Sequence, residues 1–244
     1  LKKELISKGH SFQTSGDTEV ILKLYQQYGD SAFERLNGMF AIVLFDKQCG
    51  TLKVVRDRIG VKPLYMFSDY ASKRIIFSSE LKGISNTPGS SLNLDRSVAE
   101  DFLRKSYIQG AKSIFQDCIK VKPGSITSIS ITSGETQTET FWDIANFFKS
   151  SLSQQPYSDI LLTCEDLLKS SVRHRLVADV PVGIFLSGGY DSSLVTALAS
   201  KETNSRLKTF TIGFEEDRYN EARHAAKVAD FLGTDHHEYY FTAK

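Results

Sequence analysis

From Asp17 to Tyr28 the apolar positions Val20, Ile21 and Leu24 recur at helical spacing. Asp17 is placed to cap the first turn and Gly29 to stop the last, so the pattern predicts a short amphipathic helix. Four runs rich in β-branched and aromatic residues follow: Met39 to Phe45, Leu52 to Val55, Leu64 to Phe67 and Arg74 to Ser78. The turn-formers Asp46, Gly50, Gly60, Pro63, Asp69 and Ser72 fall between them, and strands this short and closely spaced predict an antiparallel meander. A second helix is expected from Asp95 to about Lys105, then a hairpin in which Ser125 to Thr132 and Thr136 to Phe141 flank Ser133-Gly134.

The grammar then changes. Ser150 to Ser158 is polar and broken by proline, the composition of a linker. Beyond it Ile160, Leu161, Cys164, Leu167, Leu168 and Val172 mark one face of a helix ending near His174. Val182 to Leu186 is an apolar, strand-length run, followed by a Ser-Gly-Gly loop and a helix-like stretch from Ser192 to Ser200. Leu207 to Phe214 repeats the strand, Asn220 to Leu232 the helix with Gly233 as its stop, and His236 to Thr242 a third strand. Strands alternating with helices predict part of a doubly wound parallel sheet. The expected division is residues 1–142, a linker at 143–157, and residues 158–244.

Composition narrows the functional classes. The apolar fraction of 41% and charged fraction of 24% belong to an ordinary globular protein able to bury a core. A net charge of +1 supplies no broad field to draw in nucleic acid or an anionic membrane, so the expected partners are small molecules or protein. Cys49, Cys118 and Cys164 are an odd number, far apart and without a C-x-x-C pair, which predicts neither a disulfide framework nor a zinc site and fits a reducing, cytoplasmic setting. No stretch approaches the ~18 apolar residues that span a bilayer. The first residue is Leu rather than Met, so the chain is expected to be a fragment.

The chemistry concentrates at Ser187-Gly188-Gly189-Tyr190-Asp191-Ser192-Ser193, between an apolar strand and a helix. At such a junction the free N–H groups of the helix start and the positive end of its dipole converge on one small volume, which favours a bound phosphate. The glycines let backbone approach an oxygen, and the Ser187, Ser192 and Ser193 hydroxyls add donors. Asp191 would repel phosphate unless a magnesium ion sits between them. The loop lacks the Gly-Lys-Ser/Thr ending of the commoner phosphate loop, which points away from γ-phosphate transfer. A serine/glycine turn that merely caps a helix is the plain alternative; the seven-residue match after an apolar strand outweighs it. Ligands of a doubly wound sheet collect beyond the carboxyl ends of the strands, so Leu186 and Thr211-Ile212-Gly213 should border the nucleotide, although sheet core explains Ile212 equally well.

The pattern Ser-Gly-Gly-x-Asp-Ser-Ser resembles the pyrophosphate loop of ATP-dependent synthetases that adenylate a carboxylate. Together with Arg175 to Gly183, Phe210 to Phe214 and Leu232 to Glu238, it is similar to the synthetase domain of the glutamine-hydrolysing asparagine synthetase family. Gly16 to Val20, Asn37 to Ala41, Arg56 to Tyr65 and Phe77 to Glu80 resemble that family's glutaminase domain. The resemblance implies an N-terminal antiparallel-sheet glutaminase of the N-terminal nucleophile type at 1–142 and a partial ATP pyrophosphatase domain at 158–244, thus a chain of mixed α/β and α+β class. It implies glutamine hydrolysis in the first domain, with the ammonia used in the second to convert an adenylated aspartate to asparagine. Glutamine, aspartate and ATP are then the substrates, with Mg²⁺ as cofactor, and a homodimer is compatible with it. Taken alone Asp17 reads as a helix N-cap, but by matching motif it would hold the α-ammonium group of glutamine, and the resemblance favours that role, with which a cap is compatible. Leu186 and Ile212 would contact the adenosine of ATP, and Ser187, Gly188, Gly189, Asp191 and Ser192 its pyrophosphate portion, with Asp191 facing the magnesium.

The family's nucleophile is an N-terminal cysteine, and no residue of this chain is expected to replace it. Cys49 lies beside a strand turn, Cys118 in a connector and Cys164 on an apolar helix face, so packing accounts for each. Full activity is therefore not expected of these residues alone. His236 and His237, neighbours on a strand, point to opposite faces and should not share one metal ion. Arg56, Asp57, Arg58 and Lys62 read as local ion pairs rather than a phosphate clamp, and Trp142 as edge packing. Three alternatives stay open: an amidotransferase with another carboxylate acceptor, a relative of the β-lactam-ring synthetases whose first domain has lost glutaminase activity, and a non-catalytic nucleotide-binding module.

Overall fold

A computed structural model describes residues 1–70, 72–148, 154–203, 205–214, 216 and 220–241. Residues 149–153 of the predicted linker and Thr242 at the end of the last predicted strand lie outside the described residues. The chain divides into two compact units, Leu1–Ser151 and Leu152–Lys244.

The first unit contains helices α1 (Lys2–Ser7), α2 (Asp17–Tyr28), α3 (Ser31–Glu34), α4 (Leu81–Ser85) and α5 (Arg96–Lys105). Its strands are β1 (Ala41–Asp46), β2 (Thr51–Arg56), β3 (Tyr65–Asp69), β4 (Arg74–Ser78), β5 (Cys118–Lys120), β6 (Ser125–Ser130) and β7 (Thr136–Thr140). They form two antiparallel sheets, ordered β1-β2-β6-β7 and β4-β3-β5. Period-2 alternation assigns each side chain to a layer. Val55 and Ile126 face Leu5, Leu24 and Phe33 of the helices, whereas Val54 and Ile129 face Leu64 and Met66 of the other sheet. Phe67, one residue after Met66, turns outward to Ile84 of α4. The result is four layers, helix, sheet, sheet, helix.

This arrangement corrects the expected meander, because β2 turns to β6 and β3 to β5 instead of to each other. A corner built on Asp57 separates the two hairpins. Its buried carboxylate accepts the N–H groups of Val61 and Lys62 at 2.9 Å and of Phe40 at 3.3 Å. Arg56 donates to the carbonyls of Gly60, Lys62 and Val121, all at 2.8 Å, and Arg58 donates to those of Leu36 and Glu34. Arg56, Asp57 and Arg58 are thus structural, as expected, but through bonds to backbone groups and not through the expected ion pairs. Cys118 sits in β5 rather than in a connector, and burial pushes its thiol up, which keeps it unreactive.

The second unit alternates α6 (Tyr157–Arg175), β8 (Gly183–Phe185), α7 (Tyr190–Glu202), β9 (Lys208–Phe214), α8 (Ala222–Leu232) and β10 (Asp235–Phe241). The sheet is parallel with order β10-β9-β8. Helices pack on one face, where Thr209, Thr211 and Ala225 are buried; the other face carries the exposed side chains of Phe185, Phe210, Ile212, Phe214, Tyr239 and Phe241. One of the two helical layers of a doubly wound sheet is therefore present among the described residues. The predicted apolar face of α6 is corrected: Leu161, Cys164, Leu167 and Leu168 are exposed, and only its C-terminal end packs, Val172 against Leu198 and Ala199 of α7.

Candidate functional site

In the first unit a cleft of about 630 Å³ opens between α2 and β1, with Asp17, Thr18, Met39, Phe40, Lys62 and Ser79 among its lining residues. Asp17 is the first residue of α2, and Gly16 occupies the N-cap, which corrects the expected capping role. Glu19 instead anchors the segment that leads into the helix. Its carboxylate accepts the N–H of Gln13 at 2.9 Å and both the N–H and hydroxyl of Thr14 at 2.7 Å, and these bonds, the Gln13 N–H foremost, hold it below the usual carboxylate range. Asp17 is left exposed on the cleft wall, with no hydrogen-bond or ion-pair partner among the described residues.

In the second unit the residues from Leu186 to Ser193 lie at the carboxyl end of the parallel sheet. Leu186 is locked there: its N–H donates to the Phe210 carbonyl at 2.9 Å, its carbonyl accepts the Thr211 hydroxyl, and its side chain packs against Ala225 and Ala229. Gly188 has φ +79°, and a Cβ there would stand 2.7 Å from the backbone of both His224 and Ala225. Only glycine seats the loop on the first turn of α8. Gly189 is the N-cap of α7, so the next three N–H groups have no intrahelical acceptor.

The Ser187 and Ser192 hydroxyls are tied to each other and to the loop backbone. Ser187 Oγ lies 2.9 Å from Ser192 Oγ and accepts the Gly189 N–H at 3.3 Å, while Ser192 Oγ donates to the Gly189 carbonyl at 3.2 Å. Ser193 Oγ is buried without a partner. Asp191, in the first turn of α7, is exposed. The described residues contain no group of three or more His, Cys, Asp or Glu side chains able to hold a metal. A magnesium ion here would therefore draw most of its ligands from phosphate and water, the usual arrangement for that ion, and Asp191 fits as a single carboxylate ligand.

The loop brings Leu186, Ser187, Gly188, Gly189, Asp191 and Ser192 together; Ile212 lies beyond them on the next strand. The Leu186 side chain is on the helix-covered face and Ile212 on the open one. His236 and His237 do point to opposite faces: His236 Nδ1 is 2.9 Å from Thr209 Oγ1, and His237 stacks on Phe210. The hydroxyl of Thr211 and the close seat on α8 escaped the sequence reading. A threonine in an otherwise apolar run signals a strand former, and its inward direction emerges only from tertiary packing.

Comparison with known proteins bears on both sites. Residues 1–142 match the family model described as a glutamine amidotransferase domain, and residues 163–244 match that of asparagine synthase. The chain belongs to the glutamine-hydrolysing asparagine synthetase family. It is 36% identical over 235 residues to a putative asparagine synthetase [glutamine-hydrolyzing] 2 of Methanocaldococcus jannaschii, covering 94% of this chain and 44% of the relative. It is 33% identical over 235 residues to asparagine synthetase [glutamine-hydrolyzing] 1 of Bacillus subtilis, covering 96% and 36% respectively. Against asparagine synthetase [glutamine-hydrolyzing] 2 of Oryza sativa subsp. japonica it is 34% identical over 249 residues, covering 97% and 35%. The chain thus spans less than half the length of these curated relatives. The matched segments place the cleft bearing Asp17 in the amidotransferase part and the serine–glycine loop in the synthase part.

Proposed function

We propose that the complete natural polypeptide carrying this sequence makes asparagine from aspartate, with glutamine as nitrogen donor and ATP as the activating agent. The observation that carries this reading is the loop after β8: free N–H groups, tied hydroxyls and a glycine close approach converge at the start of a 13-residue helix. Ser187, Gly188, Gly189 and Ser192 hold the β- and γ-phosphates. The aspartate side-chain carboxylate attacks the α-phosphorus and the bond to the pyrophosphate oxygen breaks. Ammonia from glutamine then displaces AMP from the acyl-adenylate, giving asparagine, AMP and pyrophosphate. Electrostatic stabilisation of the leaving pyrophosphate by aligned donors is the contribution of this chain's own residues.

Asp191 would hold Mg²⁺, which would supply charge neutralisation for the departing pyrophosphate. Leu186 borders the adenosine through its main chain, since its side chain lies under α8, and Ile212 borders it from the open face. Asp17 pairs with the α-ammonium group of glutamine, a role that suits an unpartnered carboxylate on a cleft wall. The two domains meet within residues 143–157, and the setting is the cytoplasm; among the described residues no helix is long and apolar enough to cross a membrane.

Exchange of labelled pyrophosphate into ATP, measured on the complete polypeptide with a panel of amino acids, tests this. Exchange that requires aspartate, and asparagine formed when glutamine is added, is the expected result. Exchange with another acid alone would move the protein to a different acceptor. No exchange with any acid would overturn the synthetase reading.

A further inference from the structure

We propose that Thr211 is a positioning residue for the phosphate loop, acting through the peptide plane between Leu186 and Ser187; the ligand part of this rests on the ATP reading above. A peptide is planar, so the Leu186 carbonyl and the Ser187 N–H point in opposite directions and move as one unit. The Thr211 hydroxyl donates to that carbonyl, and the Ser187 N–H donates to Ser192 Oγ at 3.3 Å. The plane is clamped at both ends. Because Ser192 Oγ is also 2.9 Å from Ser187 Oγ and donates to the Gly189 carbonyl, turning the plane would disturb both the Ser187 and the Ser192 hydroxyl.

Four features separate this from an ordinary buried threonine. Thr211 is 5% exposed and lies on the helix-covered face of β9, where water cannot take its place at the carbonyl. The Leu186 N–H is held by the Phe210 carbonyl, so the clamp comes from consecutive residues of one strand. Gly188, the residue after Ser187, has a positive φ and sits against the α8 backbone, so the clamped plane and that seat together set the loop's direction. Thr209, also buried on this face, bonds to Thr234 and His236 instead, so Thr211 alone of the pair braces the loop.

The test uses Thr211→Val, Thr211→Ala and Thr211→Ser in the complete natural polypeptide. The dissociation constants for magnesium ATP, inorganic pyrophosphate and adenosine are measured by calorimetry, and amide exchange of residues 187–189 is followed without ligand. The clamp predicts affinities that sort by hydroxyl. Val and Ala weaken ATP and pyrophosphate about tenfold and adenosine less than either, and Ser stays within about twofold of the wild type for all three. Loop amides exchange faster in Val and Ala only. Affinities that sort by size, with Val like the wild type and Ser as weak as Ala, overturn the proposal, as does unchanged loop exchange in Val and Ala. A wild type that binds neither ATP nor pyrophosphate sinks the nucleotide reading instead, and the exchange data then decide the clamp alone.

Discussion

Asp57 holds the corner of the first unit with one carboxylate that is 1% exposed and accepts three backbone N–H groups. Replacing it with Ala strands those donors in a dry site. The expected loss is about 3 kcal/mol, read as a lower midpoint in chemical denaturation with an unchanged slope. Gly188→Ala forces a Cβ to within 2.7 Å of the α8 backbone at a positive φ, and should cost about 2 kcal/mol or more while abolishing ATP binding; a stable variant that binds ATP normally would contradict the packing argument. At this scale the sequence was legible wherever chemistry is local. The glycines of the loop and the structural character of Arg56 and Asp57 could be read directly. Asp17 could not be assigned its position, because an aspartate ahead of an apolar run suits the N-cap and the first helical turn alike. Glu19, three residues after Gly16, was the available sign that the cap lay elsewhere.

Strand β9 shows why elements are easier to locate than to orient. It alternates Thr209, Thr211 and Gly213 with Phe210, Ile212 and Phe214, and the usual expectation turns the aromatic set inward. The small set is buried instead, because α8 presents Ala222, Ala225 and Ala229 and approaches closely, which leaves the aromatic set on the open face. The 244-residue chain should accordingly bind a hydrophobic dye such as ANS in its native state, and Phe185→Ser with Phe214→Ser should cut that signal at least about twofold. An unchanged signal would mean the open face is covered. The hairpins of the first unit were legible, since Ser133-Gly134 and the turn at Asp46 to Gly50 mark them locally. Their distribution over two sheets was not, because it depends on Asp57 reaching backbone from Phe40 to Lys62.

Across the whole molecule, carboxylates in both units are held below their ordinary range by hydrogen bonds and cations. Tyr28 and Arg35 act on Glu4, Arg74 on Asp69, Ser97 on Asp95 and Arg173 on Glu202. A depressed folded pKa stabilises the native state fully above the unfolded value of ~4, and that contribution fades as pH falls through the folded values. Melting temperature should therefore be flat from neutral pH down to about 5 and drop below about 4, and a chain as stable at pH 3 as at pH 7 would refute this. The account as a whole stands on the loop after β8 binding the outer phosphates of ATP. Calorimetric titration of magnesium ATP into the complete polypeptide, with and without Ser192→Ala combined with Asp191→Asn, tests that most directly. Binding by the wild type and a loss of at least about tenfold in the variant is the predicted result; equal affinity in both would contradict it.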